Sequence, residues 1–382
     1  MTQRRLVFHN GSVVKLTAKV QIVVGEQGAL LRKTLETANR ACNWISEQAW
    51  KHQEFRQPAL HKIVYYEARK CFSLSSQMVV RAIAKVVDTY KLDKKVQRTF
   101  RKHGAFPYDD RLLSWNIVEQ TVSIWTTDGR KHIPFECGVR QKVLLENRQG
   151  ESDLLYHRGK FYLAATCNVE TPEPSDVDNF LGVDLGIANI ATDSDGKRYN
   201  GSEVKSVRHR QRRLRRKLQK LGTTSANRRL KELGNKEQRF ANHVNHVISK
   251  QIVADAKGAG RGIAVEQLTG IRDRIRVGRK QRAVLHSWAF YQLKMFVLYK
   301  ALIAGVPVVQ VDPRNTSREC SKCGHIDKAN RPSQSKFSCQ SCGFTIHADL
   351  NAAVVISGRA SCKQAKRGSR AASPTDPQSP RL

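Results

Sequence analysis

A chain of 382 residues with 40% hydrophobic content is long enough for two or three packed domains, which excludes a wholly disordered polymer. Its 67 Lys and Arg against 33 Asp and Glu leave a formal net charge of +34. A compact body with that charge repels itself unless a polyanion neutralises it in use. Nucleic acid is the expected partner, ahead of a membrane surface, because no basic amphipathic anchor or lipidation signal accompanies the charge. No apolar stretch approaches the roughly 18 to 20 residues that cross a bilayer, and Met1-Thr2-Gln3-Arg4-Arg5 is not followed by a signal-peptide core, so a cytoplasmic location is expected.

Along the chain, residues 12–26 mix alternation with β-branched side chains and predict a strand or two. Residues 28–54 and 74–94 repeat apolar positions at three and four, which predicts helices, the second capped by Ser75 or Ser76. Short β-like runs return between about Pro107 and Val169: T-V-S-I-W, K-V-L-L-E, D-L-L-Y-H and K-F-Y-L-A-A-T, punctuated by D-G, N-R-Q-G and H-R-G turns. This order suggests a β-barrel (1–27 and 105–170) interrupted by a helical insert (28–104). The acidic, Pro-bearing segment 171–179 fits a linker.

A second domain is expected from residue 180. Phe180 to Asp184 reads as an apolar strand ending in an acid, and Ala188 to Thr192 and Lys197 to Tyr199 as hairpin strands. A long helical stretch runs from about Ser202 to Lys257 with a break near Gly222-Thr223-Thr224. Gly262 to Glu266 is a strand, Trp288 to Ala304 a helix, Val306 to Val311 a strand, and Asp349 to about Ser357 a helix. The Ser-, Pro-, Lys- and Arg-rich residues 359–382 read as a disordered basic tail.

Cys320, Cys323, Cys339 and Cys342 form two C-x-x-C pairs fifteen residues apart, each pair followed by Gly. Four thiolates at that spacing can enclose one tetrahedral Zn²⁺ with no open coordination position, so the metal would be structural. Cys42, Cys71, Cys137, Cys167 and Cys362 have no ligand spacing, and the first four read as buried, inert thiols.

The run from Lys205 to Lys220 holds nine Lys or Arg and no acid, including Arg208, Arg210, Arg212, Arg213, Arg215, Arg216, Lys217 and Lys220. Like charges at helical spacing repel, which calls for a counter-charge. Leu214, Leu218 and Leu221 would dock this helix on a sheet while its other faces meet phosphate.

Asp184, Glu266 and Asp349 each stand at the end of an apolar strand or the start of a helix packed on one. Open α/β sheets gather such ends in one crevice. Three carboxylates there need cations, and two Mg²⁺ about 4 Å apart are what in-line phosphodiester hydrolysis uses. Singly, each acid could be an exposed strand end or a helix cap; together they point to a nuclease.

The segments G-V-D-L-G-I (182–187), G-I-A-V-E-Q-L (262–268), V-D-P-R-N-T-S-R-E-C-S-K-C-G (311–324), F-S-C-Q-S-C-G (337–343) and A-D-L-N-A-A (348–353) resemble the split RuvC-type nuclease domain with inserted zinc ribbon of TnpB proteins. These are transposon-encoded, RNA-guided endonucleases related to type V CRISPR effectors. The resemblance is specific over residues 180–358; in the N-terminal half only the order of elements matches. It implies a mixed α+β and α/β multidomain fold, in which a wedge-type β-barrel with a helical recognition insert precedes an RNase H-like nuclease domain (180–315 and 347–358) with a zinc ribbon (316–346). It implies Asp184, Glu266 and Asp349 as Mg²⁺ ligands, Arg331 of an N-R element reaching towards them, and guide RNA with double-stranded target DNA as partners of a monomer. The family's D-R-D is His347-Ala348-Asp349 here, so the basic residue beside the last acid is missing. Rival expectations are a nuclease-inactive RNA-guided repressor and a transposase proper, the second lacking any His-pair and Tyr motif.

Overall fold

The computed structural model describes residues 13–186, 189–267 and 290–371. The chain divides into two compact units, one spanning Val13–Glu170 and the other beginning at Thr171.

The first unit is built on a seven-stranded antiparallel sheet in the order β2-β6-β7-β1-β5-β4-β3. Its strands are β1 (Val13–Ile22), β2 (Phe106–Tyr108), β3 (Leu113–Asn116), β4 (Thr121–Thr126), β5 (Gly129–Glu136), β6 (Arg148–His157) and β7 (Lys160–Glu170). The edge strands β2 and β3 follow one another in sequence but share no ladder. The expected barrel is thus open along one seam. Between β1 and β2 come α1 (Gly28–Lys51), α2 (Gln57–Phe72) and α3 (Ser76–Leu92). Leu31, Leu35, Ile45, Met78 and Ile83 join inward-facing Val20, Ile22, Val122 and Leu163 in one core. Ser75 caps α3, accepting from the Met78 amide at 3.4 Å.

Two details differ from the sequence reading. α2 was not distinguished by periodicity, because it buries only Leu60, Val64 and Ala68 along one line. The run K-V-L-L-E lies in a helix, α4 (Val139–Glu146), rather than a strand. Only Leu145 of it is buried, and the Gln141 side chain accepts from the Gly138 amide at 3.0 Å, which satisfies the first helical turn locally.

The second unit carries a five-stranded sheet in the order β10-β9-β8-β11-β12, formed by β8 (Phe180–Asp184), β9 (Asn189–Asp193), β10 (Arg198–Asn200), β11 (Gly262–Glu266) and β12 (Val308–Val311). The last two strands run parallel to β8 and to one another, while β9 and β10 turn back as hairpins. Helices cover both faces, so the central strands read as continuous apolar runs. Leu181, Val183, Ile263 and Val265 pack against Ile248 and Ile252 of α6 (Thr224–Gly258) and Leu293 and Val297 of α7 (Phe290–Ala304). Phe180 and Ala264 meet Ile356 and Ala360 of α8 (Ala348–Ala371) on the opposite face.

The helix α8 corrects the expected tail. It continues to Ala371, because Ala360 still packs on the sheet and Arg359 pairs with Glu319 while donating to the Asp312 and Arg314 carbonyls at 2.8 Å. Residues 372–382, 268–289 and the N-terminal 1–12 lie outside the described residues, and so do the starts expected for the helix at Trp288 and the strand at Ala188. Among the described residues no helix is long and apolar enough to cross a membrane. Cys42 and Cys167 are buried as expected, whereas Cys137 is only half-buried and Cys71 is exposed.

Candidate nuclease centre and cysteine cluster

Side-chain parity in the sheet decides where the two strand-end acids point. Successive residues of a strand alternate between faces. Phe180 and Gly182 face α8, so Asp184 does too; Ala264 faces α8, so Glu266 does too. In the parallel register Val183 stands beside Val265, and one step further on Asp184 stands beside Glu266, neighbours at the strand spacing of about 4.8 Å. The first turn of α8 brings in Asp349, which is 6% exposed. The approach of α8 depends on Gly182: a Cβ there would sit 2.0 Å from the Ala353 carbonyl oxygen.

Glu266 and Asp349 are each held by side-chain partners. Thr316 Oγ1 donates to Glu266 Oε1. Asn189 Nδ2 donates to Asp349 Oδ2 at 3.0 Å, and Arg331 Nη2 lies 3.4 Å from Asp349 Oδ1. The buried Lys294 donates to the Glu266 carbonyl at 3.0 Å and to Gln310 Oε1 at 2.7 Å. Burial, followed by the charges of Glu266 and Asp349, pushes the Asp184 carboxyl up to about 7, with Arg331 pulling the other way. Burial also raises Glu266, against the Thr316 hydrogen bond and the charges of Arg359 and Lys294. Crowded acids held above their ordinary range fit a site for divalent cations, whose charge would replace the missing neutralisation.

The four cysteines come from two hairpin knuckles, the second leading into the small sheet of β13 (Lys336–Ser338) and β14 (Thr345–His347). The knuckles have the same local design. The Gly324 amide donates to the Cys320 carbonyl at 2.9 Å and the Gly343 amide to the Cys339 carbonyl at 3.1 Å, both glycines at positive φ. Among the described residues these four alone bring one ligand atom each within 4.8 Å of one another. Cys320 and Cys342 sulfurs are 3.7 Å apart and Cys323 and Cys339 sulfurs 3.6 Å. A tetrahedron with Zn–S bonds of about 2.3 Å has an edge of about 3.8 Å, so the donor set fits one Zn²⁺. The Cys342 amide donates to Cys339 Sγ, and backbone N–H groups bring that thiol down to about 6.

The basic helix α5 (Ser202–Leu221) packs along α6, while Val204 of its first turn joins the core on the sheet. Its inner line is Val204, Leu214 and Leu218; Leu221, expected to complete that stripe, is 65% exposed. The helix has rotated so that Arg215 pairs with Glu237 at 2.6 Å and Arg208 is half-buried near the same acid. Arg210, Arg212, Arg213, Arg216, Lys217 and Lys220 are exposed.

Residues 290–356 match a family model described as Cas12f1-like, TNB domain, and residues 164–269 one described as probable transposase. A TnpB-like protein of Methanocaldococcus jannaschii is 29% identical over 46% of this chain and 67% of its own length. The chain is thus similar to TnpB-like proteins over its second half. The CRISPR-associated endodeoxyribonuclease Cas12f1 of Sulfoacidibacillus thermotolerans is 25% identical over 86% of this chain and 92% of that protein. A second Cas12f1, from Syntrophomonas palmitatica, is 34% identical, but over 49% of this chain and 40% of its own length. The fold matches that of Cas12f1 in a solved complex with sgRNA and target DNA, with a TM-score of 0.63 at 14% identity over 90% of this chain and 99% of that one. It also matches the mini-RNA-guided endonuclease CRISPR-Cas_phi3, with a TM-score of 0.53 at 10% identity over 92% of both chains.

The structure brings Asp184, Glu266, Asp349 and Arg331 together and gathers the four cysteines in the same unit. Sequence reasoning missed Asn189, Thr316 and Lys294. Thr316 carried a faint signal in T-S-R-E-C, four residues before the first ligand cysteine; Asn189 and Lys294 carried none, because each reaches the acids only through packing.

Proposed function

We propose that the chain is an RNA-guided DNA endonuclease whose phosphodiester hydrolysis takes place at Asp184, Glu266 and Asp349. The observation that carries the reading is the convergence of these three acids on one face of the sheet beside the guanidinium of Arg331. Unit two corresponds in this reading to a RuvC-like, RNase H-like nuclease domain with a zinc ribbon, and unit one to a wedge domain with a helical recognition insert. The S. thermotolerans relative is named an endodeoxyribonuclease and the solved Cas12f1 complex contains guide and target, which supports nucleic acid of both kinds as partners here. The guide would come from the transposon end.

Asp184, Glu266 and Asp349 would hold two Mg²⁺, which when bound supply an activated water and neutralise the leaving oxygen. Thr316 holds one oxygen of Glu266 and Asn189 one oxygen of Asp349 in a fixed direction, and the second Asp349 oxygen lies beside Arg331. Arg331 is within reach of the same crevice and would bind a phosphate oxygen of the scissile group. The exposed face of α5 would track a phosphate backbone. Sequence would be read by base pairing, with the first unit reading a short adjacent motif on the duplex.

The test is cleavage of a guided target with Mg²⁺ by Asp184→Ala and Glu266→Ala. Each should lose activity by several orders of magnitude while keeping guide and target binding. Undiminished cutting by either variant overturns the assignment, and equal DNA silencing without any cleavage by the intact protein would establish the repressor instead.

A further inference from the structure

Two fully buried asparagines connect the cysteine knuckles to the carboxylate Asp349, and nothing in the proposed chemistry uses them. Asn351 lies two residues beyond Asp349 on α8. Its Nδ2 donates to the Glu319 carbonyl at 2.7 Å and its Oδ1 accepts from the Ser321 amide at 3.1 Å. Those two backbone groups flank Cys320, so one side-chain amide clamps a ligand cysteine on both sides, as a neighbouring strand would. Asn330 performs the matching task between the knuckles. Its Nδ2 donates to the Arg318 carbonyl at 2.9 Å and the His325 carbonyl at 3.1 Å, and its Oδ1 accepts from the Gln340 amide, next to Cys339, at 2.9 Å. The following residue is Arg331, which reaches Asp349.

We propose that Asn351 and Asn330 are positioning residues through which occupancy of the four-cysteine site sets the placement of Asp349 and Arg331. The inference rests on the reading of Asp184, Glu266 and Asp349 as a divalent-cation site. A buried amide with every hydrogen bond made is rigid, whereas one whose backbone partners move leaves polar groups unsatisfied at a substantial cost. Without a central cation the four thiols lose the bonds that fix the knuckles, and the clamps on Glu319, Ser321 and Gln340 loosen with them. The consequence is reciprocal linkage: a cation on the carboxylates strengthens zinc binding by the same factor that zinc strengthens cation binding.

The experiment uses the full chain with one zinc bound, verified by elemental analysis. Mn²⁺ serves as the probe, its binding followed by electron paramagnetic resonance, and zinc affinity is measured by equilibrium competition with a zinc-selective acceptor protein. Saturating Mn²⁺ should raise zinc affinity of the wild-type chain at least about fivefold. Asn351→Ala should still take up one zinc, lose most of that enhancement and bind Mn²⁺ more weakly. Asn330→Ala, on the other route, should show a separate partial loss and serves if Asn351→Ala fails to fold. Mn²⁺ binding that depends on Asp349 but leaves wild-type zinc affinity unchanged overturns the inference and spares the site. Mn²⁺ binding that is the same in Asp349→Ala overturns both.

Discussion

The packing of α8 on β8 makes Gly182→Ala a sharp test of how the acids are assembled. A methyl group at that position would stand 2.0 Å from the Ala353 carbonyl oxygen and 2.7 Å from the Ser357 amide nitrogen. Both obstacles are helix backbone, so no rotamer change relieves them. Reaching even a tight contact of 3.0 Å requires α8 and β8 to separate by about 1 Å, and overpacking of this kind typically costs about 1–3 kcal/mol, more where backbone must move. Asp349 lies one helical turn before Ala353 and would move with the helix, and a displacement of about 1 Å at a reacting centre can cost roughly 100-fold in rate. Gly234→Ala in the interior of α6 is the matched control: a methyl there meets nothing within 4 Å, and it should stabilise by about 0.5–1 kcal/mol through helix propensity. Hydrogen exchange of β8 and β11 amides in increasing urea reads this unit separately from the first. If Gly182→Ala opens at the same urea concentration as wild type and cuts guided DNA at the same rate, α8 does not sit on β8 as described.

Metal-free protein should lose stability as pH rises from about 4 to about 7, because the folded state keeps a proton on Asp184 that the unfolded state has released. The ceiling is roughly 4 kcal/mol, reduced because the half-buried carboxylate keeps some solvent. Urea midpoints of wild type and Asp184→Asn should therefore diverge over that window and reconverge on adding Mg²⁺; parallel curves would contradict the crowding. Cys339→Ser should lose bound zinc, by elemental analysis, and expose residues 316–346 to protease; a zinc-free wild-type preparation with a resistant ribbon would refute the metal site. Replacing the exposed Arg212, Arg213, Arg216 and Lys217 with Gln should weaken guide-RNA binding and flatten its salt dependence, by about 0.7 in log–log slope per lost single-strand contact. An unchanged slope would mark that face as merely solvated.

Some of this was decided by local chemistry, and therefore stood in the sequence. Two C-x-x-C-G knuckles close on themselves within a few residues, Ser75 caps its own helix, and strands that end in Asp184 and Glu266 need only alternation and β-branched side chains to form. Other features were decided by partners far along the chain. K-V-L-L-E has strand composition but sits in α4, because its neighbours leave only Leu145 a place to be buried. The last helix runs to Ala371 since the sheet face and Glu319 hold it, which the polar composition after Gly358 did not reveal. Arg208 and Arg215 are directed towards Glu237 by the docking of α5 on α6, a rotation that the charge run could not specify. The sequence by itself determined which residues have the chemistry for a nuclease and a zinc site, because residue type and spacing are covalent facts. Only the tertiary structure decided that Asp184 and Glu266 share a face, that Gly182 lets α8 bring Asp349 to them, and that Asn351 and Asn330 tie that acid to the cysteines. Strand register joins Val183 to Val265 and helix contact joins Gly182 to Ala353, pairs far apart in the chain that no local pattern records.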